Sequence, residues 1–119
     1  MSKDTSKIIA EQNDLFRQNF GNPHSENQKI KGKYLVTQGI TNLPLPEQFA
    51  ITVKIREFND FNENNDPFGE HDMASFKHNA DTILWKIDYY DVNYEYGSED
   101  PSNLKKTRRV LTAMLSHEY

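Results

Sequence analysis

Residues 73–91, MASFKHNADTILWKIDYYD, constrain the fold more than any other stretch of the chain. Ile83, Trp85, Ile87 and Tyr89 recur at every second position, the period of a strand that buries one face. MASFKH precedes this run across Asn79-Ala80. With those two residues as the loop, position 78 lies against 81, Phe76 against Ile83, Ala74 against Trp85 and Asp72 against Ile87, so that large side chains meet small ones across one face of a hairpin. A sheet with one apolar face has to be covered, and the remaining segments supply helices to do it.

Residues 4–20 place Ile8, Gln12, Leu15, Phe16 and Phe20 at helical spacing, with Asp4 as cap and GNP as the stop. Residues 22–32 are polar and read as a loop, and KYLVTQGI at 33–40 reads as a strand. The segment LPLPEQFAITVKIREFNDF fits either period, but its length and its Pro46-Glu47 opening favour a helix. Asp100-Pro101 suits the cap and first turn of a closing helix, with Leu104, Leu111 and Leu115 as its stripe and Val110 and Met114 in support. The expected architecture is one α+β domain of order αβαββα, in which a small antiparallel sheet of residues 34–40, 73–78 and 82–91 is covered by helices.

A length of 119 residues leaves room for a single domain. Without cysteine, a disulfide framework, a thiolate zinc site and a cysteine nucleophile are excluded. A reducing, cytoplasmic location fits that composition. The start MSKDTSKIIAEQND lacks the apolar run of a signal peptide, and no segment reaches the ~20 apolar residues that span a bilayer, so no membrane association is expected.

The net charge of −4 is unevenly spread. Residues 57–100 hold twelve acids against Lys77 and Lys86, while the rest of the chain has six acids and twelve bases. Two motifs fall within the acidic half. NDPFGEHD (65–72) is first of all a turn: Asp66-Pro67 starts it, Gly69 gives backbone freedom, and Asp72 or His71 can bond loop amides. Glu70, His71 and Asp72 also bring acid and base chemistry, and a small hydrolase-like or metal-dependent enzyme centred on His71, Asp72 and Asp88 is the alternative reading. Ligand spacing argues against a metal, since neither H-E-x-x-H nor H-x-H is present and neighbours on a strand point to opposite faces. No metal and no cofactor is expected.

DYYDVNYEYG (88–97) interleaves tyrosines with carboxylates. Tyrosine offers a large contact area at low entropic cost. Asp88, Tyr90, Asp91, Tyr94, Glu95 and Tyr96 are therefore the expected contacts for a basic protein partner, with Tyr89 turned to the core. Lys105, Lys106, Arg108 and Arg109 could meet phosphates, but on a closing helix they more simply coat its exposed face. Overall acidity argues against direct nucleic-acid binding.

NDPFGEHD, WKIDYYD (85–91) and TRRVLTAMLSHEY (107–119), taken in that order, resemble the bacterial family known as domain of unknown function 3768. The resemblance extends over about residues 5–119 and is densest after Asn65. It implies a small single-domain protein of a kind carried on chromosomes, plasmids and phage-like elements, and no particular activity. On that association, the expected function is a non-enzymatic interaction module. It would act as an acidic inhibitor of a nucleic-acid-binding defence system, in the manner of an anti-CRISPR or antirestriction protein. Similar proteins carry glycine at the position of Ala80, and a non-glycine there is uncomfortable in a type I′ turn, which points to a longer hairpin loop.

Overall fold

The computed structural model describes residues 3–22 and 29–119, with side chains in the first helix described from Thr5 onward. The cap expected of Asp4 and most of the loop expected at 22–32 lie outside that description. The elements are α1 (Lys3–Gln18), β1 (Gly32–Val36), α2 (Gln38–Thr41), α3 (Leu45–Glu57), β2 (Met73–His78), β3 (Asp81–Tyr90) and β4 (Arg108–Leu115), followed by a 3-10 turn at Ser116–Glu118. Among the described residues no helix is long and apolar enough to cross a membrane.

The four strands form one sheet in the order β1-β4-β3-β2. The hairpin of β2 and β3 has the expected register, with Ala74 against Trp85, Phe76 against Ile83 and His78 against Asp81, and the Ile87 N–H bonds the Asp72 carbonyl at 2.7 Å. Its loop keeps two residues despite Ala80. Asn79 alone takes a positive φ, 54°, so Ala80 avoids the left-handed conformation that a type I′ turn would demand.

The α+β class holds, while the closing segment differs from expectation. Residues 108–115 form a strand rather than a helix, inserted at the centre of the sheet antiparallel to β3 and parallel to β1. The sheet is therefore mixed rather than antiparallel. Leu111 and Leu115 satisfy a helical spacing of four, yet together with Arg109 and Ala113 they also satisfy a spacing of two. Pairing on both edges of β4 decides for the strand. The strand expected at 34–40 is confined to β1, because the chain turns into α2. There Glu118 takes the Thr37 hydroxyl at 2.6 Å and the Gly39 N–H at 3.0 Å. Residues 45–57 are helical, as their length and Pro46-Glu47 opening suggested.

One face of the sheet carries Ala74, Ile83, Trp85, Ile87, Leu111 and Ala113 into the core against Phe16 of α1, Phe20 in the turn after it, and Ile51 and Ile55 of α3. The buried side of α1 agrees with the expected stripe at Phe16, and Phe20 just beyond the helix is buried as well, but the helix is otherwise rotated: Ile8 and Leu15 stay 46% and 53% exposed, and Ile9, Asn13 and Arg17 turn inward. Two polar side chains thus enter the core, and their partners organise the site described below.

Close approach also fixes β1. A Cβ on Gly32 would lie 2.1 Å from the Arg109 carbonyl oxygen and 2.7 Å from the Phe16 ring. Gly32→Ala should therefore cost about 1–3 kcal/mol in urea unfolding, as overpacking does. An unchanged midpoint would mean that β1 can move off β4 without loss.

The chain end adds a pH-dependent clamp. The Thr37 hydroxyl, then the Leu115 and Gly39 N–H groups, hold the Glu118 carboxyl below the usual carboxylate range. A depressed folded-state pKa gives stability that is present above the unfolded value and lost as pH falls through the folded one. Wild type should exceed Glu118→Gln in denaturation midpoint at neutral pH, and the gap should close on acidification below the ordinary carboxylate range. A gap independent of pH would show that the carboxylate charge contributes nothing.

Candidate functional site

The loop between α3 and β2 is built from its own side chains. Asn62, Asn65 and Asp66 turn the chain, and the Gly69 N–H bonds the Asp66 carbonyl at 3.1 Å to close a turn over Pro67 and Phe68. Gly69 takes φ +69°, the left-handed value that glycine tolerates, and His71 takes +56°. Asp66, rather than Asp72 or His71, bonds the loose amides: its Oδ1 accepts the N–H groups of Glu70 at 3.1 Å and His71 at 3.2 Å. A buried carboxylate with this role is a cap for the loop.

That backbone aims the His71 imidazole at α1. Its Nδ1 lies 3.0 Å from Asp14 Oδ1, its Nε2 lies 3.7 Å from Asp66 Oδ2, and its ring stacks on Phe61 at 3.9 Å. Asp14 also pairs with Arg17 at 2.8 Å, while Arg17 donates to the Ile55 and Arg56 carbonyls at the end of α3 and covers the Trp85 ring. Burial lowers the Arg17 pKa, and Asp14 opposes that shift.

Behind His71 lies a second polar group. Asn13, fully buried, donates to the Glu70 carbonyl at 2.9 Å and to the Tyr89 hydroxyl at 2.8 Å, and its Oδ1 accepts from Arg109 Nε at 2.6 Å. Arg109 Nη2 reaches Gln12 at 2.9 Å and the Pro101 carbonyl at 3.1 Å, and the Tyr89 hydroxyl donates to Glu70 Oε1 at 2.9 Å. Arg109 has neutral atoms for its hydrogen-bond partners. Burial lowers its pKa, and Tyr89 and Glu70 counter the shift. The Tyr89 hydroxyl is in turn raised far above its ordinary value, mainly by burial. Glu70 thus offsets a buried cation through Asn13 and Tyr89, and the arrangement ties α1, β3, β4 and the loop together.

The three residues of the enzymatic alternative do not form one hydrogen-bonded group. His71 is committed to Asp14 and Asp66, and Asp88 pairs with Lys86 on the opposite face of the sheet. The Asp72 carboxyl is raised, first by burial and then by the neighbouring charge of Glu70. The described residues hold no group of three or more His, Asp and Glu side chains placed to hold a metal ion. His71 does border a cleft of about 930 Å³ between α1 and the loop, with Ser6, Lys7, Ala10, Asp14 and Phe68 on its walls. Both ring nitrogens face carboxylates, however, which leaves neither one directed at a bound substrate.

The apolar letters of α1 point away from Asn13, Asp14 and Arg17; the spacing 9, 13, 16, 17 is as helical as 8, 12, 15, 16, but it puts an Asn and an Arg on the buried face.

The acidic tyrosine segment is divided by the sheet. Tyr89 points to the core side, and Asp88 and Tyr90 to the other face. Beyond β3 the chain makes a tight loop. Asp91 Oδ1 accepts the N–H groups of Asn93 and Glu95 at 3.0 and 3.1 Å, the Asp91 N–H bonds the Tyr96 carbonyl at 2.8 Å, and Tyr90 bridges to Gly97. Asp91 is consequently a backbone anchor more than a free contact. Tyr94 is covered by Lys33, whose Nζ lies 4.2 Å from the ring centroid. Val92, Glu95 and Tyr96 are left outward, Tyr96 with 73% exposure. Lys105 and Lys106 border the same recess as Asp91 and Glu99, on a loop rather than a helix, while Arg108 is half-buried and Arg109 is in the core. The basic cluster is therefore not one face. Asp100 caps a turn rather than a helix, through Ser102.

These features define a small α+β domain whose mixed sheet is covered by helices on one side, with a self-bonded loop above α1 and an anchored acidic loop beyond β3. The chain belongs to the family described as Protein of unknown function (DUF3768), whose model matches residues 36–118. No curated protein and no solved structure matches the chain. The matched stretch holds the loop, the hairpin and β4 but leaves out α1, and with it Asn13, Asp14 and Arg17.

Proposed function

We propose that this protein is a non-enzymatic interaction module that presents its acidic, tyrosine-bearing loop to a basic protein. The observation that carries the reading is the division of labour within residues 91–97. Asp91 and the backbone bonds around it hold the loop, while Val92, Glu95 and Tyr96 have exposed side chains. A loop whose backbone is satisfied and whose aromatic and acidic side chains are unused loses little entropy on binding. Asp88, Tyr90 and Tyr94 flank this loop, with Asp88 and Tyr94 already engaged by Lys86 and Lys33.

The partner suited to this chemistry is a cationic, nucleic-acid-binding effector of a defence system, whose channel the carboxylates would occupy in place of phosphates. Inhibition of the anti-CRISPR or antirestriction type is the corresponding activity. The enzymatic alternative retains the His71 cleft but lacks a convergent set at His71, Asp72 and Asp88.

The test is a quantitative capture from host lysate with wild type and with a Glu95→Lys, Tyr96→Ser double variant as baits. Both substitutions lie on exposed side chains outside the loop's hydrogen bonds, so folding should be retained. A basic nucleic-acid-binding protein should be enriched by wild type and lost with the variant. Equal recovery by the two baits would contradict the assignment.

A further inference from the structure

Among the described residues, the helices cover one face of the sheet and leave the other open. On the other face, alternate residues of all four strands remain half-exposed or exposed, with Met114 the exception among those described. This open face collects cations from a chain whose net charge is negative: Lys33 from β1, Arg108 from β4, Lys86 from β3 and Lys77 from β2, against the single carboxylate of Asp88. Lys77 stands beside Thr82 and Arg108 beside Tyr90, eight positions apart along β3, so at about 3.3 Å per residue the charges extend over roughly 26 Å.

Aromatic rings stand at one end of this strip. Tyr90 points out of the open face beside Arg108, and Tyr94 folds back to it, 6.4 Å from Tyr90 and under Lys33. The net acidity that weighs against nucleic acid in the sequence is not concentrated on this face, where Asp88 is paired with Lys86.

We propose that the open sheet face binds single-stranded nucleic acid, with Lys33, Lys77 and Arg108 following the phosphates, Lys86 neutralising Asp88 between them, and Tyr90 offering a base-stacking platform. Tyrosine rings among spaced cations are what single strands engage, since every base has a face to stack and every nucleotide a phosphate to neutralise. The surface is separate from the outward side chains of the acidic loop, so this inference does not depend on the protein partner proposed above.

The experiment follows the anisotropy of fluorescein-labelled oligothymidylate at low and physiological salt, with circular dichroism of each protein as a check on folding. The proteins are wild type, Lys33→Glu with Lys77→Glu, Tyr90→Ala, and Lys7→Glu, which changes charge on α1 away from the face. Both lysines of the double variant are exposed, and Lys33→Gln is the milder substitute if charge reversal disturbs β1. Wild type should bind with strong salt dependence, and the double variant should bind about tenfold or more weakly with a shallower salt slope. Tyr90→Ala should lose affinity with its slope retained, and Lys7→Glu should match wild type. Absence of binding at low salt, undiminished binding by the double variant or by Tyr90→Ala, or polyglutamate competing as well as unlabelled oligothymidylate would each overturn the proposal.

Discussion

Trp85→Ala should cost about 3–5 kcal/mol in chemical denaturation, the largest effect expected of any substitution considered for this protein. Trp85 is fully buried at the centre of β3. It meets the edges of Phe58 and Phe61 at 5.9 and 6.1 Å and lies under the Arg17 guanidinium at 5.1 Å. Its cover is α1 and the chain following α3. Removing the indole leaves a cavity beneath three groups that cannot all collapse onto Ala74 and Ala113, its neighbours across the sheet. Trp85→Phe should cost less, because it keeps an aromatic body and removes an indole N–H that has no hydrogen-bond partner among the described residues. As the chain has one tryptophan, native emission should be blue-shifted and resistant to iodide quenching. Red-shifted, readily quenched emission would contradict this burial.

The second large effect is expected at Asn13, a residue with no chemistry of its own. Asn13→Ala strips a buried guanidinium of its Nε acceptor and leaves the Glu70 carbonyl without its bond to α1, which holds the loop there together with the contact of His71 and Asp14. Arg109 Nη1 has no hydrogen-bond partner among the described residues, so little slack remains to absorb the loss. Because the group left unpaired is charged, the cost should be about 2–4 kcal/mol, above that of an ordinary hydrogen bond. A double-mutant cycle with Tyr89→Phe should show coupling, since both residues connect Arg109 to Glu70. Additive losses, or a change at Asn13 below about 0.5 kcal/mol, would mean that the network is not cooperative.

The parts of this fold that could be read in advance are those that local pattern decides. In the β2–β3 hairpin the alternation of Ile83, Trp85 and Ile87, and the small Ala74 facing Trp85, contain both register and facing within one short segment. The helix at 45–57 could be read from its length and its proline start. β4 could not, because its partners are remote in sequence and a charged residue, Arg109, occupies a core position of its alternation. The same disguise hid the buried face of α1, where Asn13 and Arg17 stand among Ile9, Phe16 and Phe20. In the candidate site, Asp66, Gly69 and His71 were legible as turn chemistry, since a turn is local. Asp14, which receives His71, was not, since helix orientation depends on what the helix covers. Likewise, Asp91 reads as a free acid in the sequence and becomes a backbone anchor once the loop closes on it.

The central claim is that the outward carboxylates and ring of the acidic loop form the protein-contact surface. It is tested most directly by the affinity of the isolated basic partner for wild type and for a Glu95→Lys, Glu99→Lys variant at two salt concentrations. Asp91 is left intact because it holds the loop, and Asp100 because it caps a turn. The account predicts a properly folded variant that binds more weakly and with flatter salt dependence, as fewer ion pairs remain to be screened. Equal affinity and equal salt dependence in a folded variant would contradict it, and would make the loop a solvated edge of the sheet.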